Sequence, residues 1–436
     1  MTYSEAIDYL YHKTVSFETM GGAGYKPGLE RVEILLEKFG NPHRSLKTIH
    51  VAGTNGKGST ASLIASVLQA AGYRVGLFTS PHLLDFRERI RINGEMISEE
   101  AVAAFVEAAE PLFKRKADRP SFFELTTAMA FDYFARQNTD YAVIEVGMGG
   151  RLDSTNVITP LVSIITNVSM DHTQYLGDTI TKIAEEKAGI IKPGVPLILG
   201  NSRDADVNNV IKDVSFRQGA KVIPADRTQE IMMHFFQNDV YRLSTVHFGN
   251  LTLPLVGAFQ IENAATVLQA LLVLMEKGVK ITPENVKKGF LEVAGQGLRA
   301  RIEVLRERGP RIIADTGHNP GSWVYIANYL SDIRKERHVV CILGFSSDKD
   351  IKTVLSLIPR TIPLLFAKAD SPRAKSSKAL TRMAKSLGFA ECLPFENVSE
   401  AYAYALESNP NKERLTIFIG GSFYLVGDFL RTGEVL

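Results

Sequence analysis

Short apolar runs alternate along this chain with longer stretches in which apolar residues recur every three or four positions. Strands are predicted at residues 48–53, 73–80, 141–147 and 161–169. A helix beginning near Ser59 is expected to join the first two strands, and residues 121–137 have the spacing of another helix. This alternation is typical of an α/β fold with a mostly parallel sheet flanked by helices.

The middle and the C-terminal third of the chain show other patterns. Residues 201–255 are more polar, which suits a small antiparallel patch, and residues 257–278 return to a helical pattern. Strand-like runs resume at residues 311–317, 338–345, 362–369 and 415–421. We therefore predict two domains, a larger one over residues 1–296 and a smaller Rossmann-like α/β domain over residues 297–436.

Charge balance and cysteine content exclude several classes of protein. The chain has 50 Lys and Arg residues against 48 Asp and Glu residues, so no broad field attracts nucleic acid or an anionic membrane. Cys341 and Cys392 lie among apolar neighbours, which suits buried thiols in a reducing compartment. A signal-peptide core is not evident, and no run approaches the ~18 apolar residues of a membrane span. We expect a cytoplasmic monomer without nucleic-acid or membrane partners.

The first predicted strand leads into a glycine-rich segment, VAGTNGKGST. Its polar and glycine positions are Gly53, Thr54, Asn55, Gly56, Lys57, Gly58, Ser59 and Thr60. The usual phosphate-binding template has four residues between its glycines and a hydroxyl directly after the lysine, and this segment departs from both. Glycines that admit close backbone approach and a strand-turn-helix context are nevertheless retained. We predict a phosphate-binding loop of a nucleotide-binding domain, with a plain glycine-rich connection as the alternative.

Other polar groups follow the ends of the predicted strands. In an open α/β sheet, ligands bind beyond the carboxyl ends of the strands, and Ser80, His82, Glu145 and His172 fall there. Glu145 lies in an apolar run, where magnesium bound to phosphates would stabilise its carboxylate, although a core-rim carboxylate is the alternative. His172 is a candidate metal ligand or merely part of the start of the next helix.

One lysine lies on the apolar side of a predicted helix over residues 177–194. Lys187 shares the stripe formed by Ile180, Ile183, Ala184, Ala188 and Ile191. A snorkelling lysine is the ordinary interpretation. Alternatively, desolvation lowers its pKa far enough for the neutral amine to act as a nucleophile and to capture carbon dioxide as a carbamate, an anionic metal ligand.

Together these segments resemble the folylpolyglutamate synthase family, with its dihydrofolate synthase relatives, in the Mur ligase superfamily. The resemblance rests on GGAGYKPGLERVEILLEKFGNPH, HVAGTNGKGST, TSPHLLDFRERIRINGEMIS, FFELTTAMAF, IEVGMGGRLDSTN, DHTQYLGDTITKIAEEKAGIIKPG and HNPGS, in this order. It implies ATP-dependent amide formation, in which a substrate carboxylate is phosphorylated and the acyl phosphate is attacked by the amine of L-glutamate. The carboxylate belongs to a folate or to dihydropteroate.

The resemblance also implies roles for individual residues. Lys57 and the amides of Gly56 and Gly58 would hold phosphates of ATP, and Ser59 would lie by a first magnesium ion with Ser80 and Glu145 as ligands. Glu145 and His172 would bind a second magnesium ion, and Lys187 matches the family's carbamylated lysine.

Further matches concern the nucleotide. Asn263 would contact the adenine ring, with an ordinary helix start as the alternative, and Asp315 and His318 would face the nucleotide from the second domain. Arg301 would reach the phosphates, but the pattern drifts here to Leu298-Arg299-Ala300-Arg301-Ile302-Glu303, so Arg299 stays an alternative.

The segment DFRERIRIN suggests where an acidic substrate binds. Arg87, Arg89 and Arg91 alternate with other residues, so in an extended segment they would share one face and, with His82, could grip a glutamate tail. A charged edge strand is the alternative.

We therefore predict a folylpolyglutamate synthase, either with this activity alone or bifunctional with dihydrofolate synthase activity. We expect its active site between the two domains. Dihydrofolate synthase alone, a P-loop kinase or GTPase, and a non-catalytic nucleotide-binding scaffold are the alternatives.

Overall fold

The computed structural model describes residues 1–16, 24, 26–113, 119–200, 202 and 204–434. Its contacts divide the chain into two compact units. The first comprises Met1–Ser169, Thr173–Pro254 and Phe259–Leu298, and the second comprises Met170–His172, Leu255–Ala258 and Arg299–Leu436. Residues 21–23 and 25 of the segment GGAGYKPG lie outside the described residues.

The first unit is built on a mostly parallel sheet. Its described strands are β1 (Thr48–Ala52), β2 (Val75–Phe78), β3 (Ile90–Ile92), β4 (Glu95–Met96), β5 (Tyr141–Glu145), β6 (Val162–Ile165), β7 (Leu197–Leu199) and β8 (Val222–Pro224). They follow the order β4-β3-β2-β5-β1-β6-β7-β8. Neighbours pair in parallel except that β3 is antiparallel to both β2 and β4. Every residue of β1, β5 and β6 is buried, as expected for strands covered on both faces.

Helices cover this sheet. Those described are α1 (Tyr3–Asp8), α2 (Glu30–Lys38), α3 (Lys57–Ala70), α4 (Glu99–Ala109), α5 (Phe122–Arg136), α6 (Thr173–Leu176), α7 (Ile180–Ala188), α8 (Ala205–Arg217), α9 (Arg227–Glu230), α10 (Phe259–Glu276) and α11 (Pro283–Leu291). Single helical turns of other types span Tyr9–Lys13, Pro42–Ser45, Phe86–Arg89, Glu110–Leu112, Ser154–Val157 and Val293–Gln296.

Local sequence explains where several helices begin and end. α5 starts with a capping box, in which the side chains of Ser121 and Glu124 each accept from the other's amide. α3 starts at Lys57, two residues before the predicted start, because Gly56 supplies the left-handed conformation from which the helix begins. α7 ends at Ala188, earlier than predicted, and is followed by Gly189.

The predicted antiparallel patch is confirmed. It consists of β9 (Ile231–Gln237), β10 (Val240–Thr245) and β11 (Gly249–Leu253), in the order β11-β10-β9. The strands β4, β7 and β8 were not predicted, because they are only two to three residues long and thus show no recognisable period.

The second unit is a smaller α/β sheet domain. Its described strands are β12 (Glu303–Arg306), β13 (Arg311–Asp315), β14 (His338–Leu343), β15 (Leu364–Ala367), β16 (Cys392–Phe395) and β17 (Leu415–Gly420), in the order β12-β13-β17-β14-β15-β16. The helices are α12 (Pro320–Ile333), α13 (Ile351–Leu357), α14 (Ser377–Ser386), α15 (Val398–Glu407) and α16 (Phe423–Arg431), and a 3-10 turn spans Lys412–Arg414. Only β12, of these strands, runs antiparallel to its neighbour. The predicted α/β fold class is confirmed.

Both cysteines are free and buried, as predicted, and burial raises the pKa of each thiol. The described helices include no candidate for a membrane-spanning segment.

Candidate active site

The loop between β1 and α3 has a backbone conformation that requires glycine. Gly53 has φ +150° and Gly56 has φ +82°, values that residues with a side chain rarely adopt. A Cβ on Gly53 would collide with Oγ1 of Thr166, and one on Gly56 would collide with Oδ1 of Asn263. The backbone amides of the first turn of α3 follow directly, as in an anion-binding loop. Both glycines are therefore required by conformation and by space.

The segment after β6 holds this loop in place. Asn167 accepts from the amides of Thr54 and Asn55, through its carbonyl and its Oδ1, at 3.0 Å each. Nδ2 of Asn167 and Oγ1 of Thr166 donate to the carbonyl of Asn55, at 2.9 and 2.6 Å. Thr54 and Ser169 exchange two more hydrogen bonds. Sequence reasoning missed these supporting residues, although their polar run follows the end of a predicted strand.

Lys57 and Lys187, far apart in the sequence, donate to the same backbone carbonyl. Nζ of Lys57 donates to the carbonyls of Gly53 and Thr54, at 3.2 Å each. Nζ of Lys187 donates to the carbonyl of Gly53 at 2.9 Å, and Lys187 is only 3% exposed. The predicted burial of Lys187 is confirmed, and the snorkelling alternative is wrong because this hydrogen bond is buried. Two ammonium groups at one carbonyl repel each other, so a bound anion would stabilise both.

Oxygen-bearing side chains lie at the ends of neighbouring strands beside the loop. Glu145 ends β5, is 3% exposed and pairs in register with Val51 of β1. The amide of Ser80, two residues beyond β2, donates to Oε2 of Glu145 at 3.0 Å. Ser59 is buried in the first turn of α3, with Gly58 and Thr60. Because the strand order is β2-β5-β1, Ser80, Glu145 and the loop after β1 lie at neighbouring strand ends although they are far apart in the sequence.

Asn263 lies against the loop from α10. Its Nδ2 donates to Oε1 of Gln260 at 2.9 Å, and its Oδ1 occupies the space that a Cβ on Gly56 would need. The alternative of an ordinary helix start is wrong, because α10 begins at Phe259 and Asn263 lies in the second turn. Its side chain is therefore placed at the loop and does not cap the helix.

A group of polar side chains in the second unit surrounds Asp171. Nζ of Lys349 lies 2.7 Å from Oδ1 of Asp171, and Nδ2 of Asn319 donates to Oδ2 at 2.9 Å. Nε2 of His318 lies 3.5 Å from the same Oδ2. Nε2 of His172 accepts from Lys349 at 3.4 Å. Ligand atoms of Asp171, His172 and His318 lie within 4.8 Å of one another, a spacing that could hold a metal ion.

The charges of this group shift its ionisation. Burial works to raise the pKa of Asp171, but the hydrogen bond from His318 and the charges of His172 and Lys349 outweigh it and hold that pKa well below its ordinary value. Burial, aided by Lys349, lowers the pKa of His318. Lys349 was missed by sequence reasoning, although it follows β14 by a few residues and the strand-end rule could have identified it.

The segment before β12 separates the two arginine candidates. Nε of Arg299 donates to Oε1 of Glu303 at 2.6 Å, so Arg299 is engaged in an ion pair. NH1 of Arg301 donates to Oγ1 of Thr316 at 2.7 Å, and its guanidinium lies 5.2 Å from the ring centroid of Phe423. Glu303 thus pairs with Arg299, and Arg301 lies against Thr316 and Phe423.

Asp315 ends β13 and is held by backbone amides. Oδ2 accepts from Ile302 at 2.8 Å and Oδ1 accepts from Gly317 at 2.5 Å. Burial raises the pKa of Asp315, against the charge of Arg301 and these two hydrogen bonds. The carboxylate therefore fixes the loops at the end of its strand.

The arginines of DFRERIRIN do not share one face, so that prediction is wrong. Asp85 and Glu88 form a capping box that turns Phe86–Arg89 into a 3-10 helix, and the extended strand begins only at Ile90.

The three arginine side chains consequently have different surroundings. Arg87 pairs with Asp85 at 2.7 Å on the surface. Arg89 is 1% exposed, and its Nε donates to Nδ1 of His82 at 2.8 Å. NH1 of Arg91 donates to the carbonyl of Gly94 at 2.9 Å.

Comparison with known proteins agrees with these features. Residues 51–271 match the model of the Mur ligase middle domain, and residues 300–423 match the Mur ligase, glutamate ligase domain. The folylpolyglutamate synthase of Lacticaseibacillus casei is 35% identical over 442 residues, covering 99% of both chains. The dihydrofolate synthase/folylpolyglutamate synthase of Escherichia coli is 32% identical and covers 92% of this chain and 89% of that protein.

A solved structure, Mycobacterium tuberculosis folylpolyglutamate synthase complexed with ADP, superimposes with a TM-score of 0.87 at 31% identity, over 99% of this chain and 97% of that one. The chain spans 50% of a probable bifunctional folylpolyglutamate synthase/dihydropteroate synthase of Haloferax volcanii, at 33% identity.

The chain therefore belongs to the folylpolyglutamate synthase and dihydrofolate synthase family of Mur ligases. The predicted family and the predicted class of enzyme, an ATP-dependent ligase, are confirmed. The matches to both halves of the chain favour this class over the P-loop kinase alternative.

Proposed function

We propose that this chain joins L-glutamate to the γ-carboxylate of a folate in an ATP-dependent reaction. The observation that carries the proposal is the convergence of the glycine loop, two lysine ammonium groups and the buried Glu145 at neighbouring strand ends. Phosphoryl transfer to a carboxylate brings two anions together, so catalysis rests mainly on positioning and neutralising charge. The γ-phosphoryl group moves to the carboxylate, and the glutamate amine then displaces phosphate and loses a proton.

The loop is the proposed site for the phosphates of ATP. Gly53 and Gly56 leave room for close approach of phosphate oxygens to the backbone, and the first amides of α3 supply donors. Lys57 donates to two loop carbonyls, which carry only partial charge. A phosphate is a stronger acceptor for an ammonium group than a carbonyl is, so Lys57 would turn to it on binding.

Magnesium ions fit the oxygen-rich part of this edge. Ser59, Ser80 and Glu145 offer hydroxyl and carboxylate oxygens, the ligand type that magnesium prefers, and Glu145 is almost fully buried. When bound, magnesium would neutralise phosphate charge. Glu145 supplies the fixed negative charge, and the Ser80 amide orients its Oε2. Two ions, with His172 as a ligand of the second, follow from the resemblance and stay predictions, as do the nucleotide contacts of Asn263, Arg301, Asp315 and His318.

Lys187 is the proposed site of a carbamate. Its amine is buried beside the phosphate loop, where a second cation near Lys57 is disfavoured. Carbon dioxide would bond to the neutral amine with loss of one proton, which replaces a cation by an anionic metal ligand. Native mass spectrometry under carbon dioxide should show a gain of one carboxyl group that is absent in Lys187→Ala. An unmodified amine together with full activity of Lys187→Ala would remove this proposal.

The acid substrate decides the particular activity. Relatives carry the names folylpolyglutamate synthase and dihydrofolate synthase/folylpolyglutamate synthase, so a second activity on dihydropteroate is the alternative that the comparisons favour. An assay with ATP, magnesium and labelled L-glutamate should offer tetrahydrofolate and dihydropteroate in parallel. We expect release of ADP and phosphate only when glutamate and one of these acids are both present.

ADP release without dependence on glutamate would contradict the ligase proposal. ATP binding without turnover on either acid would favour the scaffold alternative. We also propose that the chain acts as a monomer, because its nearly balanced charge gives no reason for an obligate partner. Light scattering at assay concentrations tests this directly.

A further inference from the structure

Two side-chain amides near the start of α10 form a hydrogen-bonded pair beside the glycine loop. Gln260 and Asn263 lie three residues apart, so they are neighbours on one face of the helix. Nδ2 of Asn263 donates to Oε1 of Gln260 at 2.9 Å. Nε2 of Gln260 is buried and has no hydrogen-bond partner among the residues that the structure describes.

Gln260 is an unfavourable residue for this position if packing is its only role. It is 0% exposed, and a buried amide with an unsatisfied donor lowers the stability of a fold. An apolar side chain of similar length, such as that of methionine, would fill the same space without this cost. What Gln260 supplies, and methionine lacks, is a strong acceptor for the amide of Asn263.

This hydrogen bond sets the direction in which the amide of Asn263 lies. Nδ2 faces Gln260, whereas Oδ1 is the amide atom nearest to the position of a Cβ on Gly56. With the two amide atoms of Asn263 exchanged, Oδ1 would meet Oε1 of Gln260, and two acceptors repel each other. Gln260 therefore favours one of the two orientations of the Asn263 side chain.

The favoured orientation matches one purine base. Nδ2 of Asn263 carries two hydrogens, and one of them donates to Gln260. The other hydrogen and Oδ1 form the opposite edge of the amide, a donor beside an acceptor. Such an edge pairs with the N7 acceptor and the N6 amino donor of adenine. Hypoxanthine and guanine carry an oxygen acceptor at the same ring position, which Oδ1 would repel.

We propose that Gln260 is a specificity-determining residue for the base of the nucleotide. It acts through Asn263, whose amide it holds in the orientation that pairs with adenine and disfavours hypoxanthine or guanine. Gln260 is thus a positioning residue that does not touch the ligand itself. This inference rests on the proposed function, which assigns ATP to this site, and on the predicted contact of Asn263 with adenine.

Binding of nucleoside diphosphates tests the proposal without any turnover. In Gln260→Met, the dissociation constant for ADP should rise by about 10-fold, as expected when one oriented hydrogen bond is lost. The constant for inosine diphosphate, which carries hypoxanthine, should change less than about twofold. The ratio of the two constants is the readout, because a merely structural loss weakens both nucleotides alike. Isothermal titration calorimetry with magnesium in each titration measures both.

Two further variants serve as controls. Gln269→Met is matched, because Gln269 lies on the same helix and its Nε2 donates to buried Glu230 at 2.6 Å, so its ratio should stay near that of wild type. Gln260→Glu keeps an acceptor for Nδ2 of Asn263 and should retain most of the preference for ADP. An unchanged ratio in Gln260→Met, or an equal fall in either control, would overturn the proposal.

The wild-type chain provides a test that does not depend on the folding of a variant. In 7-deaza-ADP a C–H group replaces N7, so this analogue lacks the acceptor for Nδ2 of Asn263 and should bind about 10-fold more weakly than ADP. Equal affinity for ADP and 7-deaza-ADP would also overturn the proposal.

These binding measurements separate the inference from the proposed function. A preference for ADP that falls only in Gln260→Met, in a chain without glutamate-dependent ADP release, would contradict the ligase and keep the role of Gln260. Glutamate-dependent turnover together with an unchanged ratio in Gln260→Met would contradict the role of Gln260 alone.

Discussion

Lys57 in the first unit and Lys349 in the second are ammonium groups in polar sites, and their partners differ in kind. Lys57 donates to two backbone carbonyls, whereas Lys349 forms an ion pair with the largely buried carboxylate of Asp171. A carbonyl carries only partial charge, so a phosphate would be a stronger acceptor for the Lys57 ammonium than either carbonyl. A carboxylate neutralises the Lys349 ammonium, so removal of either partner leaves the other as an unpaired, largely buried charge. The first arrangement suits ligand binding, and the second suits structural support.

The comparison predicts the largest effect for loss of the Lys57 charge. Lys57→Ala should lower kcat/KM for ATP by about 10³-fold, because the proposed function assigns to this charge the stabilisation of the transferred phosphoryl group. Thermal stability should change less, since the hydrogen bonds from Lys57 to the carbonyls of Gly53 and Thr54 lie within one loop. Coupled ADP-release kinetics and a thermal melt measure the two quantities. A large loss of stability with unchanged kcat/KM would show that Lys57 supports the fold and does not bind the ligand.

The opposite pattern is expected in the second unit. Asp171→Ala leaves the Lys349 ammonium, whose side chain is 7% exposed, without its carboxylate and should lower the free energy of unfolding by about 3 kcal/mol. The double variant Asp171→Ala with Lys349→Met should recover much of this loss, because the charge is then gone. Urea unfolding of the full chain measures both. Additive losses in the double variant would show that the pair is not what stabilises this region.

The shape of the phosphate loop can be tested at a single glycine. Gly56→Ala forces an unfavourable φ of +82° and a collision with Asn263, so it should destabilise by about 2 kcal/mol. Gly72→Ala is the matched control, because Gly72 has φ +90° and nothing within 4 Å of an added Cβ. The difference between the two variants isolates the collision. Equal losses of unfolding free energy in the two variants would show that the collision with Asn263 costs nothing.

A smaller, pH-dependent effect concerns the strand that leads into the loop. His50 is fully buried in β1, its Nε2 bonds Oγ1 of Thr155 at 2.9 Å, and burial, aided by Lys192, lowers the pKa of His50 to about 3. Below about pH 6.5, His50 is protonated in the unfolded chain but stays neutral in the folded chain. The free energy of unfolding therefore falls as the pH drops. From pH 6.5 to 5.5 this costs about 1 kcal/mol.

His50→Gln keeps a donor near Thr155 but does not titrate. Urea unfolding at a series of pH values should therefore show a flatter decline for His50→Gln than for wild type between pH 6.5 and 5.5. Parallel curves would mean that another group causes the acid sensitivity.

Part of this arrangement could be predicted from sequence, because it depends on residue patterns within single short segments. The strands β1, β5 and β6 are buried on both faces, which produces continuous apolar runs, and glycines mark the loop after β1. Lys187 could be recognised as buried because it interrupts an apolar stripe of helical period. Such patterns report which face of an element meets the core.

The arginines near residue 90 show where local pattern misleads. Alternation predicted a strand with one basic face, but the reciprocal hydrogen bonds of Asp85 and Glu88 favour a helical turn over Phe86–Arg89. Alternating residues share one face only in an extended strand, and Phe86–Arg89 is helical. The position of Lys349 after β14 marks it as a strand-end residue, but only the fold brings it to Asp171, 178 positions away.

By itself, the sequence determined the α/β class, the glycine loop, the place of Lys187 in an apolar stripe and the family. Tertiary structure decided the partners: that Asn167 holds the loop, that Lys57 and Lys187 meet at one carbonyl, and that Arg89 orients His82. The physical reason is that the spacing of apolar residues and glycines within one segment indicates its burial and its backbone conformation. A hydrogen bond between distant residues depends on strand order and packing, which no short stretch of sequence contains.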